Sequence, residues 1–508
     1  MKAETQVDTL EAKGLIRLAT VQPEIEYLFR HALVQDAAYG SLLKQERRGL
    51  HAQVGEALED LYPARREELA AVLAMHFEQA GETDKAIDYH LAAGRYGAQR
   101  NALREAYEAF DRAAALLPEL APDDNSATRR RELDVRLGRV EAGYTFRPAD
   151  EVFDELEAIL PDAEALGDDE LAARVHMLVA FSRLQAGDDP SHPLVARSLD
   201  RIREIGDRLG DPSLQALPMA LVGMNNVFAG SLAKGVAQLE EALPLMDTDR
   251  DSIAASFARA ALGVGYAMLG RFAEAEEASR LANEIAANGD LIAQLDVLIM
   301  DSIIRSQKGN LESAMPIAKE CVERAEATGA SACVVASSWV LGDAFHRQGR
   351  FTEARDILQR GAEISSIVDR KVWRPTLLAW LGTASVALGS KEADFEEALQ
   401  MARSIRNPLG EAGILAKRAE AAVRHGDLNA ALPDFEASTA ILKAEGARPN
   451  LARALRAWGE ALGTAHRTEE AEATLRRALA VFEELGLERE AREVRSELSL
   501  GETTIDFE

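Results

Sequence analysis

Apolar residues recur along this chain at the spacing of an α-helix, and breaker residues interrupt the pattern at regular intervals. Between residues 102 and 117, for example, Ala106, Phe110 and Ala113 fall at positions i, i+4 and i+7, so that they share one helical face. The composition favours the same structure, because Ala, Leu, Glu and Arg dominate it and lose little side-chain entropy in a helix. The pattern therefore predicts an all-α protein.

One helix–turn–helix pattern occurs in two closely similar copies. Its defining residues are Gly263, Tyr266, Gly270, Phe272 and Ala275 in one copy, and Gly342, Phe345, Gly349, Phe351 and Ala354 in the other. A glycine inside a helix costs about 1 kcal/mol relative to alanine. A close crossing with the alanine of the second helix is a physical reason to accept that cost. We interpret each copy as a helical hairpin that needs neighbours to bury its apolar faces.

Turns of this kind recur about every 40 residues from residue 126 onward. We place them at Thr145, Gly187, Gly230, Gly270, Gly309, Gly349, Gly389, Gly426 and His466. Small residues at the helix crossing, with Tyr266 or Phe345 filling the groove, resemble the tetratricopeptide repeat. That repeat has a period of about 34 residues, so the longer period here predicts longer helices of about fifteen residues. The expected fold is an α-solenoid of tetratricopeptide-like hairpins.

The N-terminal region has a different pattern. Residues 15–20 and 25–30 are rich in β-branched and aromatic side chains and flank a turn at Pro23-Glu24, which predicts a β-hairpin. Helices are expected at 31–60, 65–80, 83–99 and 102–117, and Pro118 ends the last of them.

The segment after this hairpin carries a resemblance to a known family. It reads Phe29-Arg30-His31-Ala32-Leu33-Val34-Gln35-Asp36-Ala37-Ala38-Tyr39, followed by Leu42-Leu43 and by Arg47-Arg48-x-Leu50-His51. It resembles a segment of bacterial STAND-type and AAA-like signalling ATPases, including class III adenylate and guanylate cyclases with tetratricopeptide repeats. In that family the segment closes a winged-helix domain between an ATPase module and a helical repeat region. The resemblance implies a winged-helix remnant here, and an upstream ATPase or cyclase domain as a possible partner.

These observations predict four segments. Residues 1–62 form the winged-helix remnant and linking helices, and residues 63–118 form the first helical repeats. A breaker-rich stretch at 118–125 precedes the tetratricopeptide-like solenoid at 126–485. Residues 486–508 form a capping helix and tail, whose many charges suit a polar end surface.

Charge and motif content exclude several classes of function. The 508 residues carry a formal net charge of −27, which disfavours nucleic acid as a partner. No apolar run is long enough for a membrane span, and we expect a cytoplasmic protein. The two cysteines and nine histidines fit no metal-site spacing. No phosphate-binding loop or catalytic motif occurs, so we expect no catalytic residue, metal or cofactor and no enzyme activity.

The remaining candidate site is the concave wall of the solenoid, which the first helix of each hairpin should line. Counting from the glycine inside each first helix, we expect a protein or peptide partner to contact one set of residues. The set is Met224, Phe228, Phe257, Val264, Met268, Trp339, Asp343, His346 and Arg347. Tryptophan and arginine are the residue types that most often anchor partners. The alternative is that long helices simply bury these side chains against their neighbours.

Three functions follow from the sequence. The leading hypothesis is a non-catalytic regulatory scaffold for protein–protein interaction, similar to the sensor half of a bacterial signalling ATPase or nucleotide cyclase. The second is a transcriptional regulator that uses the winged-helix remnant on DNA, which a salt-dependent DNA shift would support. The third is a fragment of a nucleotide cyclase whose catalytic domains are absent from this chain, which the upstream coding sequence would decide.

Overall fold

Helices with one small-residue face and one apolar face account for nearly all of the structure. The computed structural model describes residues 2–20, 26–120, 125–248, 252–287, 289–368, 371–390 and 393–505. The predicted turn at Pro23-Glu24 and the linker residues 121–124 therefore lie outside the described residues. Within the described residues there are 25 α-helices, three short 3-10 helices and one two-stranded sheet.

The first elements are α1 (Lys2–Ala12), β1 (Ile16–Thr20), β2 (Glu26–Phe29), α2 (Ala32–Gly40), α3 (Lys44–Leu61), α4 (Ala70–Ala80), α5 (Thr83–Gln99) and α6 (Leu103–Leu116). The following helices are α7 (Ser126–Gly143), α8 (Ala149–Ala165), α9 (Asp169–Gln185), α10 (Pro193–Leu209), α11 (Pro212–Ala229), α12 (Leu232–Ala242), α13 (Ser252–Leu269), α14 (Phe272–Ala286), α15 (Leu291–Gln307) and α16 (Leu311–Thr328). The last are α17 (Ser331–Arg347), α18 (Phe351–Val368), α19 (Arg374–Ala387), α20 (Phe395–Ser404), α21 (Pro408–Arg424), α22 (Leu428–Ala444), α23 (Arg448–Thr464), α24 (Thr468–Glu484) and α25 (Glu488–Ile505). The 3-10 helices are Pro63–Arg65, Leu117–Glu119 and Leu243–Leu245.

The contacts between residues define two compact units. Residues 1–96 and 108–124 form the first unit, and residues 97–107 and 125–508 form the second. The division into four segments that the sequence suggests remains a prediction.

The first unit contains the predicted β-hairpin. Strands β1 and β2 pair antiparallel, with Ile16 opposite Phe29 and Leu18 opposite Tyr27, which confirms the hairpin. The single helix expected at 31–60 was wrong, because the chain breaks it into α2 and α3 at Ser41–Leu43. A hydrogen bond at the N-terminus of α3 explains why a second helix begins here. The backbone N–H of Leu43 donates to a side-chain oxygen of Glu46 at 2.8 Å, which caps α3.

The second unit is a continuous series of helical hairpins. The pairs run from α7–α8 to α23–α24, and α25 follows the last pair. All nine predicted turn positions fall between the two helices of a hairpin, which confirms the period. Eight of them, all except Thr145, have a positive φ; at His466 it is 58°. The predicted solenoid is therefore the fold, and a contiguous cluster of buried apolar side chains extends through it.

Close helix crossing explains the glycines inside the first helices. A Cβ added at Gly263 would lie 3.2 Å from the carbonyl oxygen of Ala275, so the predicted contact between these two positions is confirmed. At Gly342 an added Cβ would lie closer than 3.0 Å to the side chain of Leu358, which real Cβ atoms essentially never do. The aromatic residue of each copy, Tyr266 or Phe345, is buried beside this crossing.

The second unit coils tightly enough for distant hairpins to touch. First helices of successive hairpins pack on one another, and ten helices later the coil meets itself, with α21 against α11 and α23 against α13. The turn at Gly270 illustrates the contact, because an added Cβ there would collide with Leu485 of the link after α24. Its positive φ of 84° also favours glycine. The inner wall of the solenoid is therefore enclosed by other parts of the same unit.

Candidate functional site

A pocket of about 570 Å³ occupies the interior of the second unit. Its walls come mainly from the first helices of the hairpins from α11 to α23, together with α25. The first helices of the hairpins from α11 to α23 therefore face this interior space. The lining combines two sets of side chains: an aromatic and apolar set, here called the apolar half, and a charged set, here called the polar half. Pockets of this size are typical of ligand sites, which range from about 300 to 1,000 Å³.

A row of aromatic rings connects successive hairpins of the second unit, and its last four rings, from Phe228 onward, line the pocket. Consecutive ring centroids lie 5.7 to 6.2 Å apart. The row consists of Tyr144, Phe181, Phe257, Phe228, Trp373, Trp339 and Trp380. Edge-to-face and offset aromatic pairs stabilise by about 0.5–1.5 kcal/mol beyond the burial of their surface. The row holds the hairpins together and gives the pocket a rigid aromatic wall.

Most of the residues expected on the concave wall do line this pocket. They are Phe228, Val264, Met268, Trp339, Asp343, His346 and Arg347. The structure thus brings them together around one space, although a partner's contact with them remains a proposal. The indole nitrogen of Trp339 has no hydrogen-bond partner within the described part of the chain.

Two of the expected wall residues, Met224 and Phe257, do not line this pocket. Met224 is 2% exposed and Phe257 is 7% exposed, so both side chains pack against neighbouring helices. Phe257 lies between the rings of Phe181 and Phe228. The long helices of this solenoid bring neighbouring hairpins into contact at these positions, which is the alternative that the sequence left open.

Asp343 and Arg347 are already engaged within the unit. Trp380 donates from its indole nitrogen to Asp343 at 2.9 Å. Arg347 donates to the backbone carbonyl oxygen of Ser306 and to Glu490, both at 3.1 Å. These side chains therefore shape the pocket, and a partner would have to compete with their present hydrogen bonds.

Paired charges line most of the polar half. Arg453 donates to Glu490 at 3.1 Å, and burial lowers the pKa of Arg453 to about 10. Arg456 donates to Glu493 at 2.5 Å and to Glu497 at 2.6 Å, so one guanidinium holds two carboxylates. Each arginine in this part of the wall is therefore held by at least one carboxylate, and Arg456 also contacts Glu460.

His346 has an unusual environment in this wall. Burial, together with the positive charges of Lys417 and Arg424, lowers the pKa of His346 to about 2. Its side chain is 9% exposed, and its closest carboxylate oxygen belongs to Glu420 at 3.7 Å. The imidazole is therefore neutral at physiological pH, with an Nε2 atom that makes no hydrogen bond among the described residues.

Several pocket residues were missed by the sequence analysis. They are Trp373, Trp380, Lys417, Arg424, Arg453, Arg456 and Glu490. A usable signal existed for two of them, because three of the four tryptophans of the chain lie between residues 339 and 380. The charged residues gave no such signal, since similar residues occur on every exposed helix face.

Two other features are absent from the described residues. No group of three or more His, Cys, Asp or Glu side chains there could hold a metal ion. Within the same residues, no helix combines the length and the apolar character required to cross a bilayer.

Comparison with known proteins shows a distant relative in sequence and solved structures of similar fold. No protein-family model matches the chain. A stretch of 151 residues, or 29% of the chain, is 26% identical to the uncharacterised protein R02095 of Rhizobium meliloti strain 1021. The match spans 15% of that relative's length.

Two solved structures have similar arrangements of helices. One is a Rap protein complexed with competence and sporulation factor, 15% identical, with a TM-score of 0.50 over 71% of this chain and 99% of that chain. The other is the Cut9–Hcn1 hetero-tetramer of APC/C, 14% identical, with a TM-score of 0.47 over 92% of this chain and 89% of that chain. At such identities the similarity to the Rap protein shows the fold alone, an all-α solenoid of tetratricopeptide-like hairpins.

Proposed function

We propose that this chain is a non-catalytic scaffold for protein–protein interaction, and that its interior pocket holds a short segment of a partner protein. One observation carries the proposal: a pocket of about 570 Å³ is lined both by a cluster of aromatic rings and by hydrogen-bonding groups. Aromatic side chains anchor binding partners with little loss of conformational entropy, and polar groups fix the partner's orientation.

The chemistry of the pocket favours binding over catalysis. A general base works best when its pKa lies near the operating pH. The pKa of His346, at about 2, is far below that range. The arginines and carboxylates opposite it are held in ion pairs such as Arg453–Glu490 and Arg456–Glu493. Such groups can recognise a ligand, but they are not poised to exchange protons with one.

A protein of similar fold has been solved with a bound partner. The Rap protein of the comparison was solved in complex with competence and sporulation factor. We extend the binding of a partner from that protein to this one, and we place the partner in the interior pocket because of the pocket's lining. The aromatic row and the charged half of the pocket give such a partner both apolar and polar contacts.

We also propose a regulatory context for this scaffold, namely a bacterial signalling ATPase or nucleotide cyclase. The segment from Phe29 to His51 resembles bacterial signalling ATPases and nucleotide cyclases, in which a repeat region acts as the sensor. The first unit exposes large apolar side chains, including Leu33 at 81% and Leu43 at 71%. Apolar surface of this kind is typical of a region that packs against another domain. We propose an ATPase or cyclase domain as that neighbour, and a phosphate-binding loop in the adjoining coding sequence would support it.

The binding proposal can be tested with displayed peptides. We expect the full chain to select members of a random heptapeptide library, and a selected peptide to slow hydrogen exchange in α13, α17 and α21. Met268→Glu places a carboxylate in the apolar half and should weaken binding at least about tenfold. Leu388→Glu is the matched control, because Leu388 is exposed in a turn outside the pocket lining.

Two results would contradict the proposal. One is the failure of the library to yield any peptide that binds below about 100 µM, a value weaker than specific peptide recognition requires. The other is binding that Met268→Glu leaves unchanged while helical content is retained.

A further inference from the structure

One corner of the pocket has a positive charge that the rest of the wall does not neutralise. We call it the basic corner, and it consists of His346, Phe351, Lys417, Glu420 and Arg424. All five side chains line the pocket. Lys417 lies 3.0 Å from both carboxylate oxygens of Glu420, so these two charges cancel. Arg424 remains as the excess charge of the corner.

Arg424 differs from the other pocket arginines in its partners. Arg347, Arg453 and Arg456 each contact a carboxylate of the same unit. No carboxylate among the described residues lies within ion-pair distance of Arg424, and its guanidinium lies instead 4.9 Å over the ring of Phe351. Stacking on an aromatic face fixes the plane of a guanidinium but leaves its N–H groups free to donate.

His346 supplies a second unused donor in the same corner. Its ring lies 5.3 Å from the ring of Phe351, so Phe351 contacts both His346 and Arg424. The Nε2 atom of His346 is buried against the pocket and has no hydrogen-bond partner in the described part of the chain. A buried polar atom without a partner is unfavourable, and a ligand that bonds to it would remove that penalty.

We propose that the basic corner binds a carboxylate of the peptide in the pocket, from either its C-terminus or an Asp or Glu side chain. The inference rests on the proposed function and adds the chemical class of the ligand. The fork of N–H groups on Arg424 matches the two oxygens of a carboxylate. His346, as a neutral imidazole, can donate a further hydrogen bond to one of those oxygens. Apolar residues of the same peptide then lie along Trp339 and Met268.

Charge balance supports a carboxylate over a cationic group. With Lys417 and Glu420 paired and His346 neutral, one bound carboxylate brings the corner to zero net charge. A lysine or arginine side chain would add a second unpaired positive charge beside Arg424. It could reach Glu420 only by displacing Lys417, which already satisfies both oxygens of that carboxylate.

The test uses four pools of random apolar hexapeptides, retained on the immobilised full chain and read by mass spectrometry. Pool one is amidated and free of Asp and Glu. Pool two has the same residues with a free C-terminal carboxylate. Pool three is amidated with one Glu, and pool four is amidated with one Lys. We expect pool two, pool three or both to be enriched at least about tenfold over pool one, and pool four not to be enriched. Enrichment of pool two identifies the C-terminus, and enrichment of pool three identifies the side chain.

Substitutions test whether the preference for a carboxylate depends on the basic corner. Arg424→Gln should bring the carboxylate pools to within about twofold of pool one. Arg424→Lys should keep part of the preference, because it keeps the charge but loses the fork. Arg355→Gln, on the outer helix α18, is the matched control and should change nothing.

The outcomes separate this inference from the function on which it rests. If all four pools are retained equally, or if pool four is preferred, the carboxylate inference is wrong and peptide binding stands. A carboxylate preference that survives in Arg424→Gln also overturns the inference. If no pool is retained, the proposed function fails and the inference fails with it.

Discussion

Arg347 of α17 donates a hydrogen bond to Glu490 of α25 at 3.1 Å, although 143 residues separate them in sequence. Arg453 of α23 donates to the same carboxylate oxygen, also at 3.1 Å, and to the backbone carbonyl oxygen of Gln307 at 2.7 Å. Glu490 therefore connects hairpins that lie one turn of the coil apart. The enclosure of the pocket therefore depends on this one carboxylate side chain.

Glu490→Gln should loosen the coil. The substitution leaves the guanidinium groups of Arg347 and Arg453 facing each other without their shared anion, and breaking a largely buried ion pair costs about 3 kcal/mol. We expect faster hydrogen exchange in α15 and α25 and a larger radius of gyration. Glu483→Gln is the control, because Glu483 pairs with Arg495 on an exposed surface, where such pairs contribute about 0–1 kcal/mol. Equal effects of both variants would show that Glu490 does not hold the turns together.

The hairpins could be predicted from the sequence because their determinants are local. Glycine turns, the small residues at Gly263 and Ala275 and an aromatic residue at 266 all lie within one repeat. Each hairpin needs only its neighbours to bury its apolar face, so the period of the sequence is also the period of the structure. The β-hairpin at 16–29 was predictable for the same reason.

The enclosure of the pocket could not be predicted in this way. Whether the coil meets itself depends on small rotations between successive hairpins, which add up over ten helices and have no local signature. Contacts such as that of Gly309 with Glu490 follow from that sum. The sequence therefore could not tell that Met224 and Phe257 pack between hairpins, while Trp339 and Met268, further along the same wall, line the pocket.

The crossing glycine Gly342 should not tolerate a methyl group. Gly342→Ala forces the new Cβ against Leu358, and overpacking of this kind costs about 1–3 kcal/mol. Gly463→Ala is the matched control in a first helix, because its Cβ would lie 3.9 Å from the Cβ of Ala471, an ordinary contact. The control should be neutral, or stabilising by up to about 1 kcal/mol through helix propensity. Thermal unfolding measures both, and a Gly342→Ala protein as stable as the control would refute the close crossing.

Asp343 should prove to be a structural residue of the pocket wall. Asp343→Ala removes the acceptor of the Trp380 indole N–H, which costs about 2 kcal/mol when that donor is left unpaired. Asp343→Asn keeps a side-chain oxygen at the same place and should cost less than about 1 kcal/mol. Tryptophan emission and thermal unfolding would report the difference. If the two variants are equally destabilised, the hydrogen bond to Trp380 is not the reason for the loss.

His346 should make the repeat at 331–368 sensitive to acid. Its pKa is about 2 in the folded chain, because burial and the charges of Lys417 and Arg424 oppose protonation. In the unfolded chain a histidine has a pKa of about 6.5. The unfolded state therefore binds the proton first, so stability is complete above about pH 6.5 and falls as the pH drops below that value.

The size of this effect follows from the two pKa values. Between pH 7 and pH 5 the single histidine should cost about 2 kcal/mol of local stability. His346→Gln and His346→Phe cannot bind that proton, so each should lose about 2 kcal/mol less than the wild type over the same interval, whatever its stability at pH 7. Hydrogen exchange of the α17 and α18 amides, corrected for the intrinsic dependence of exchange on pH, measures the loss at this site. The other histidines are the same in all three proteins, so their contributions cancel in the comparison. An equal loss in the wild type and both variants would mean that His346 is protonated without penalty, and that the pocket around it is open to water.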